Sequence, residues 1–399
     1  MEEKKIKKLI KKFKRERKLN FLHEDKFDFE TCLEEIIKVL RTGRLDILEG
    51  MAHREFEQQF AEWIGAKEAV FVNSGTAALF CVLRASGIGP GDEVIIPPFT
   101  FMATASCILH TNAIPRFADI ETVTYNMDPE DAISKINSKT KAIIPVHLGG
   151  MPQDIGPLKD ACEDRGILLL EDACQAHGAK YNGKMVGTIG DAGTFSFFPS
   201  KNMTTGEGGM IVTDNEELAE QCRIIRHHGE TAWYKFARLG WHLRPTELTA
   251  AIGLAELKNL KRYIRSRQQA WFYLTENLQD VKGITPPGVP DYAEPSCNWW
   301  GGIVSPGDVG AEDTQEYTNW LNKKNAFTKT IYPKPIYQTV VFREGDSFLP
   351  EPLPEYPDGL CPVCEDLNKR LIAIDTHPGI TKEHCDFIIE RFHAVAKGN

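Results

Sequence analysis

Seven short apolar runs recur between residues 69 and 213, near 69–73, 93–96, 115–118, 141–146, 167–171, 193–198 and 209–213. Several are apolar at consecutive positions, as in Val94-Ile95-Ile96 and Ile167-Leu168-Leu169-Leu170. A strand covered on both faces reads this way, whereas a half-exposed strand alternates. Amphipathic stretches of helical spacing separate most of the runs. The pattern predicts an α/β fold with a mostly parallel sheet covered on both faces. After Pro245 a long helical pattern extends to about Leu278, followed by turns such as Pro286-Pro287-Gly288-Val289-Pro290 and a region of short elements. The expected organisation is an N-terminal extension over 1–20, a large α/β domain over 21–254 and a smaller domain over 255–399.

The ends of these runs carry candidate chemistry. Lys201 follows the run at 193–198 and precedes Thr204-Thr205-Gly206-Glu207-Gly208-Gly209. Desolvation or a cationic neighbour lowers a lysine pKa and makes the amine a nucleophile. An apolar strand leading to a glycine-rich turn suits a Schiff-base lysine that holds pyridoxal phosphate. Taken alone, a solvated loop lysine is the alternative. Asp172 lies just past the run at 167–171, where open α/β sheets place ligands. A carboxylate there keeps a pyridine nitrogen protonated, so that the ring can accept electrons. The alternative is a cap on the next helix. Gln175, three residues on, faces the same way if a helical turn begins here.

Asn73-Ser74-Gly75-Thr76-Ala77-Ala78-Leu79 follows the run at 69–73 and opens a predicted helix over 76–86. With Ser74 or Gly75 at its start, backbone N–H groups are left for a phosphate. An ordinary serine cap is the alternative. Ser196 would add a hydroxyl to the same phosphate. In Pro97-Pro98-Phe99-Thr100-Phe101-Met102-Ala103-Thr104, an aromatic past a strand end is placed either to stack on a cofactor ring or to fill the core.

Together these segments resemble the DegT/DnrJ/EryC1/StrS family of pyridoxal-phosphate-dependent sugar aminotransferases. The resemblance rests on Asn-Ser-Gly-Thr-Ala-Ala-Leu from 73, Gly-Asp-Glu-Val-Ile from 91, Val-His-Leu from 146, Glu-Asp-Ala-x-Gln-Ala-x-Gly from 171 and Ser-Phe-x-x-x-Lys ending at 201. The Gly-Glu-Gly-Gly turn from 206 and Arg226-His227-His228-Gly229 complete it. It is dense from about residue 50 to 260 and looser beyond. It implies the type I aminotransferase fold and a homodimer with active sites at the subunit interface. It implies that Lys201 forms the Schiff base with pyridoxal 5′-phosphate and that Asp172 meets the pyridine nitrogen. Gly75, Thr76 and Ser196 fall on the phosphate positions, Phe101 on the ring-stacking position and Gln175 beside the cofactor's 3-hydroxyl. The family's Gly-Tyr-Asn-x-Arg-Met reads here as Gly240-Trp241-His242-Leu243-Arg244-Pro245, so His242 stands where an Asn reaches the partner's cofactor phosphate. The family's Val-His-Leu-Tyr-Gly reads Val146-His147-Leu148-Gly149-Gly150, which removes bulk near the substrate side.

The implied reaction moves an amino group from glutamate or glutamine to a keto group of a nucleotide-linked sugar. Dehydratase relatives replace the lysine with histidine, so Lys201 argues against that branch. A cyclitol or aminobenzoate-pathway enzyme of the same family is the alternative enzyme. A pyridoxal-phosphate-carrying sensor or scaffold is the alternative outside catalysis.

Composition narrows the remaining classes. The 399 residues carry a formal charge of −9, which argues against nucleic-acid binding by the whole molecule. No apolar run approaches the ~20 residues of a membrane span, and the charged N-terminus shows no signal peptide, so a cytoplasmic protein is expected. The ten cysteines are expected as reduced thiols, with Cys361-Pro362-Val363-Cys364 in a packing role and no metal. The first twenty residues hold ten Lys or Arg against three Glu, with Ile6, Leu9, Ile10 and Phe13 at helical spacing. A basic amphipathic helix touching anionic lipid or an acidic partner is one reading of this segment, and a solvated or self-docked extension is the favoured one.

Overall fold

A computed structural model describes residues 28–345 and 353–396. The basic segment 1–20 lies outside the described residues. Helices α1 (Phe29–Thr42) and α2 (Ala52–Ile64) lead into β1 (Glu68–Val72), α3 (Gly75–Ala85), β2 (Glu93–Ile96), α4 (Ala103–Leu109), β3 (Ile114–Phe117) and β4 (Thr140–Ile143). Helix α5 (Gly156–Glu163), β5 (Leu168–Asp172), β6 (Ala192–Ser196), β7 (Gly209–Thr213) and α6 (Glu216–Arg226) complete the large unit. The seven strands form one sheet in the order β1-β7-β6-β5-β4-β2-β3. Strand β7 runs antiparallel to both neighbours, and the other pairs are parallel. Each predicted strand is present, with ends shifted by a few residues at most.

The consecutive apolar runs have the expected cause. In β1, Val70 and Val72 join one core while Ala69 and Phe71 join the other. In β2, Val94 and Ile96 face the first core and Ile95 the second. Side chains alternate between faces, and both faces are covered, so consecutive positions are apolar. On the second face Phe56, Phe60, Phe71, Phe195 and Phe197 form an aromatic cluster, with Phe56 and Phe71 edge-to-face at 5.0 Å. Such pairs contribute roughly 0.5–1.5 kcal/mol beyond the area they bury.

Helix α7 (Glu247–Leu278) joins the two units. The expected division at 254/255 falls inside this unbroken helix. Its first half gives Ala250 and Leu254 to the large unit's core. Its second half gives Ala270, Trp271, Leu274 and Leu278 to the smaller one. The smaller unit has an antiparallel sheet of β8 (Ile284–Thr285), β9 (Trp299–Val304), β10 (Thr328–Thr330) and β11 (Leu371–Asp375), in the order β8-β9-β11-β10. Helix α8 (Lys382–Ala396) packs on α7. All ten cysteines are free thiols. No described helix is long and apolar enough to cross a membrane.

Candidate active site

The segments singled out in the sequence leave the carboxyl edge of the large sheet. Ser74 caps α3: its Oγ accepts the Ala77 N–H at 3.1 Å and its carbonyl accepts the Ala78 N–H at 3.0 Å. The N–H groups of Gly75 and Thr76 precede the first intrahelical bond, so they remain for an anion. A Cβ on Gly75 would stand 2.8 Å from Ser196 Cβ and 2.9 Å from Cys174 Sγ. Only glycine lets the Ser196 hydroxyl, at the end of β6, approach the helix terminus this closely.

Asp172 is the last residue of β5 and is buried. Its Oδ2 accepts the Thr104 hydroxyl at 2.9 Å, and its Oδ1 accepts the Cys174 N–H at 3.2 Å. Thr104 in turn lies 3.0 Å from the Thr100 hydroxyl. Residues 173–176 form a turn closed by the Ala176 N–H on the Ala173 carbonyl at 2.9 Å, not the start of a helix. Asp172 therefore caps no helix. Gln175 does not share its direction through helical spacing. The Gln175 amide instead meets Gly149, Trp299 and Tyr332.

Lys201 is partly exposed as a residue, but its amine is desolvated. Burial pushes the amine's pKa below the ordinary lysine value, while Cys174 and Asp172 nearby pull it upward and do not overcome burial. The loop is pinned from the α7 side. The Arg267 guanidinium donates to the carbonyls of Lys201 at 3.1 Å, Asn298 at 3.0 Å and Thr376 at 3.1 Å. Burial lowers the Arg267 pKa to about 10, so it stays charged at neutral pH. Asn298 Nδ2 donates to the Ser200 carbonyl and to Asn202 Oδ1, both at 3.0 Å. Beneath the loop His177 packs against Phe195 and Phe197. Burial, with the charges of Lys201 and Arg267, lowers its pKa to about 3, so it stays neutral.

Strand β5 is held just before Asp172. The Glu171 carboxylate accepts His147 Nε2–H at 2.9 Å and the N–H groups of Gly187, Ile189 and Gly190 at 2.7, 2.6 and 2.7 Å. Burial opposes its ionisation, but these donors hold its pKa below the usual carboxylate range. Gln153 N–H donates to His147 Nδ1 at 3.0 Å, which fixes the tautomer with the proton on Nε2.

Phe101 is 62% exposed, whereas Phe99 is buried and meets Tyr332 edge-to-face at 5.3 Å. Phe101 thus presents an open ring face. His242 is exposed, pairs with His227 through a bridge and meets the His228 ring at 5.5 Å. Adjacent tryptophans in β9 divide between the units. Trp300 lies in the smaller unit's core, while Trp299 turns to the large unit and lies against Gly149. The indole thus lies where a side chain on residue 149 would begin. Thr104, Arg267, Asn298 and Tyr332 carry no role that the sequence alone points to, and Trp299 reads there only as a base-stacking or core aromatic. Among the described residues, no group of three His, Cys, Asp or Glu is placed to hold a metal.

An anion cup at a helix end, a buried carboxylate, a desolvated amine and an open aromatic face fit the phosphate, ring nitrogen, aldehyde and ring of pyridoxal phosphate. Comparison with known proteins agrees. The chain is 34% identical over 92% of its length to the spore coat polysaccharide biosynthesis protein SpsC of Bacillus subtilis, covering 94% of that protein. It is 34% identical over 84% of its length to a UDP-N-acetyl-3-dehydro-alpha-D-glucosamine 3-aminotransferase of Acidithiobacillus ferrooxidans, covering 86% of it. The fold superposes with a TM-score of 0.83 on a putative sugar aminotransferase from Streptococcus pneumoniae in its PLP form, at 26% identity, covering 92% of this chain and 96% of that one. Residues 28–393 match the family model described as the DegT/DnrJ/EryC1/StrS aminotransferase family. The chain belongs to that family and is a pyridoxal-phosphate-dependent aminotransferase.

Proposed function

We propose that this enzyme transfers the amino group of glutamate or glutamine to a keto group of a nucleotide-linked sugar. The observation that carries the reading is the Lys201 amine, desolvated within electrostatic reach of Asp172 at the carboxyl edge of the sheet. Pyridoxal phosphate, when bound, supplies a carbonyl that accepts the amino group and a ring that delocalises the developing negative charge. Lys201 is the attachment point. Once displaced by the donor, its amine moves a proton between the donor's α-carbon and the carbon that receives the nitrogen. The lowered pKa keeps a larger share of that amine neutral and able to accept the proton. Asp172 holds the ring nitrogen protonated, while Gly75, Thr76 and Ser196 hold the phosphate. Phe101 covers one face of the ring. The donor leaves as a keto acid, and the sugar takes the nitrogen by the reverse steps. The relative that acts on a UDP-linked dehydro sugar supports this substrate class.

A homodimer belongs to the same proposal. Leu48, Met51, Phe236 and Leu239 are more than half exposed, and Trp233 and Tyr234 more than four-fifths. Leu48 also lines a cleft of about 540 Å³ with His53, Arg226, His227 and Glu230. Exposed apolar residues in this number suit contact with a second copy. His242, exposed beside His227, is placed by this reading at the partner's cofactor phosphate. The test is product formation. The PLP-loaded enzyme is incubated with glutamate or glutamine and a panel of nucleotide keto sugars, and amino-sugar nucleotide is measured by mass spectrometry. Amination of a cyclitol or a cyclic enone acid alone would transfer the reading to the other branch of the family. No transamination with any acceptor would remove the catalytic reading.

A further inference from the structure

Gln175 is held in one amide orientation by groups from three parts of the chain. Its Oε1 accepts the Gly149 N–H at 3.0 Å and the Trp299 indole Nε1–H at 3.0 Å. Neither group can accept a hydrogen bond. A flipped amide would set its NH₂ against two N–H donors, so Oε1 has a single allowed position. Nε2 donates to the Tyr332 hydroxyl at 3.2 Å, which leaves one further N–H to offer.

The clamp depends on how the two units meet. Gly149 (φ 60°) and Gly150 (φ 85°) lie in the left-handed region. Their carbonyls accept N–H groups from the other unit, Asn298 to Gly149 at 2.7 Å and Ser296 to Gly150 at 2.8 Å. A Cβ on Gly149 would fall 2.9 Å from Trp299 Cε2 and 3.0 Å from Cζ2. Residue 299 is 8% exposed, and it leaves the smaller sheet toward the large unit while Trp300 points back. The indole reaches Gln175 because residue 149 has no side chain.

We infer that Trp299, seated on Gly149, is a positioning residue that makes Gln175 present an N–H donor, and no acceptor, to the cofactor's 3-hydroxyl oxygen. The inference rests on the proposed placement of the cofactor. A donor there shares the negative charge of that oxygen, which weakens its hold on the neighbouring imine proton. The imine of the resting enzyme then loses its proton at lower pH. Without the indole N–H, the amide keeps one fixed partner on Oε1 and populates the flipped state, which sets a carbonyl against the anionic oxygen.

The test is a pH titration of the visible absorbance of the PLP-loaded enzyme. Trp299→Phe keeps a ring and removes the N–H, and it is predicted to raise the midpoint by about one pH unit, the scale of one hydrogen bond to a charged group. Gly149→Ala pushes on the indole from the other side and is predicted to move the midpoint the same way. Gln175→Leu should produce the full shift, and adding Trp299→Phe should then add nothing, because both act on one oxygen. Urea midpoints identify variants that retain the fold. A midpoint unmoved in both Trp299→Phe and Gly149→Ala would overturn the inference. So would a Trp299→Phe shift that persists undiminished in the Gln175→Leu background. Borohydride reduction of the parent separates the two levels: no imine on Lys201 removes the cofactor placement, whereas an imine with an unmoved midpoint removes only the role of Trp299.

Discussion

The Thr104 hydroxyl donates a 2.9 Å hydrogen bond to Asp172 Oδ2, on the opposite side of that carboxylate from its own backbone contact at Cys174. Thr104 belongs to α4 and Asp172 ends β5, so the bond ties the helix after β2 to the strand two places along the sheet. A carboxylate gripped at both oxygens has little freedom to turn about its last torsion. That rigidity is what an ion pair to a ring nitrogen needs.

Thr104→Val removes the donor and keeps the shape. We expect kcat/KM to fall about 10- to 100-fold, the range of one hydrogen bond to a charged group. Thr104→Ser should restore most of the loss. Steady-state kinetics of both variants check this, and a Val variant at the parent rate would make Thr104 a packing residue.

Asp172→Asn keeps an acceptor for the Cys174 N–H, turns the position facing Thr104 into an NH₂ that can donate to its hydroxyl, and removes the charge. Proton transfer at the donor α-carbon is expected to slow on the order of 10²-fold or more, with fold and phosphate contacts intact. Single-turnover rates and a urea midpoint measure the two halves of that statement. A variant within twofold of the parent would reduce Asp172 to a structural residue.

Glu256, on α7, gives a pH dependence of stability. It accepts the Thr204 N–H at 3.2 Å and the Tyr263 hydroxyl at 3.3 Å just beyond the Lys201 loop. Burial raises its pKa from 4.5 to about 7, against the lowering effect of those donors. The folded state thus binds a proton that the unfolded state has released. This stabilisation is complete below the unfolded pKa and is lost as pH rises toward about 7, on the order of 3 kcal/mol in all. Glu256→Gln should flatten the fall in urea midpoint between about pH 5 and pH 8. An unchanged slope would place the titration elsewhere.

The proposed dimer predicts that PLP retention depends on His242. A ring N–H of His242 can donate to the partner's cofactor phosphate, so removing the ring should weaken retention. His242→Asn, which keeps an N–H donor, should retain PLP, and His242→Ala should retain it poorly. Dialysis followed by cofactor absorbance, with sedimentation to assign the assembly, measures both. A monomer that holds PLP as tightly as the parent would end the proposal.

The strands were legible because burial on both faces writes itself as short unbroken apolar runs, as in Val94-Ile95-Ile96. The sites at strand ends were legible for a related reason: Asp172, Ser196 and Ser74 sit at the switch from apolar run to turn. The sequence left a helical turn after Asp172 open, because Ala173-Cys174-Gln175-Ala176 has no residue that forbids one. Closure onto Gly149 and Trp299 decides it, and those residues are distant in sequence. Arg267 and Asn298 were invisible for the same reason. Each grips the Lys201 loop from at least 66 residues away, through backbone carbonyls that carry no sequence signal. Trp299 was legible as an aromatic, but its direction depends on the pleat of a strand only six residues long.

The account stands on Lys201. The most direct measurement is borohydride reduction of the PLP-loaded enzyme, followed by peptide mass mapping. The account predicts a yellow protein whose reduced cofactor mass lies on the peptide carrying Lys201. It also predicts that Lys201→Ala folds, loses the yellow absorbance and does not turn over. A label on another lysine, or full turnover by Lys201→Ala, would contradict it.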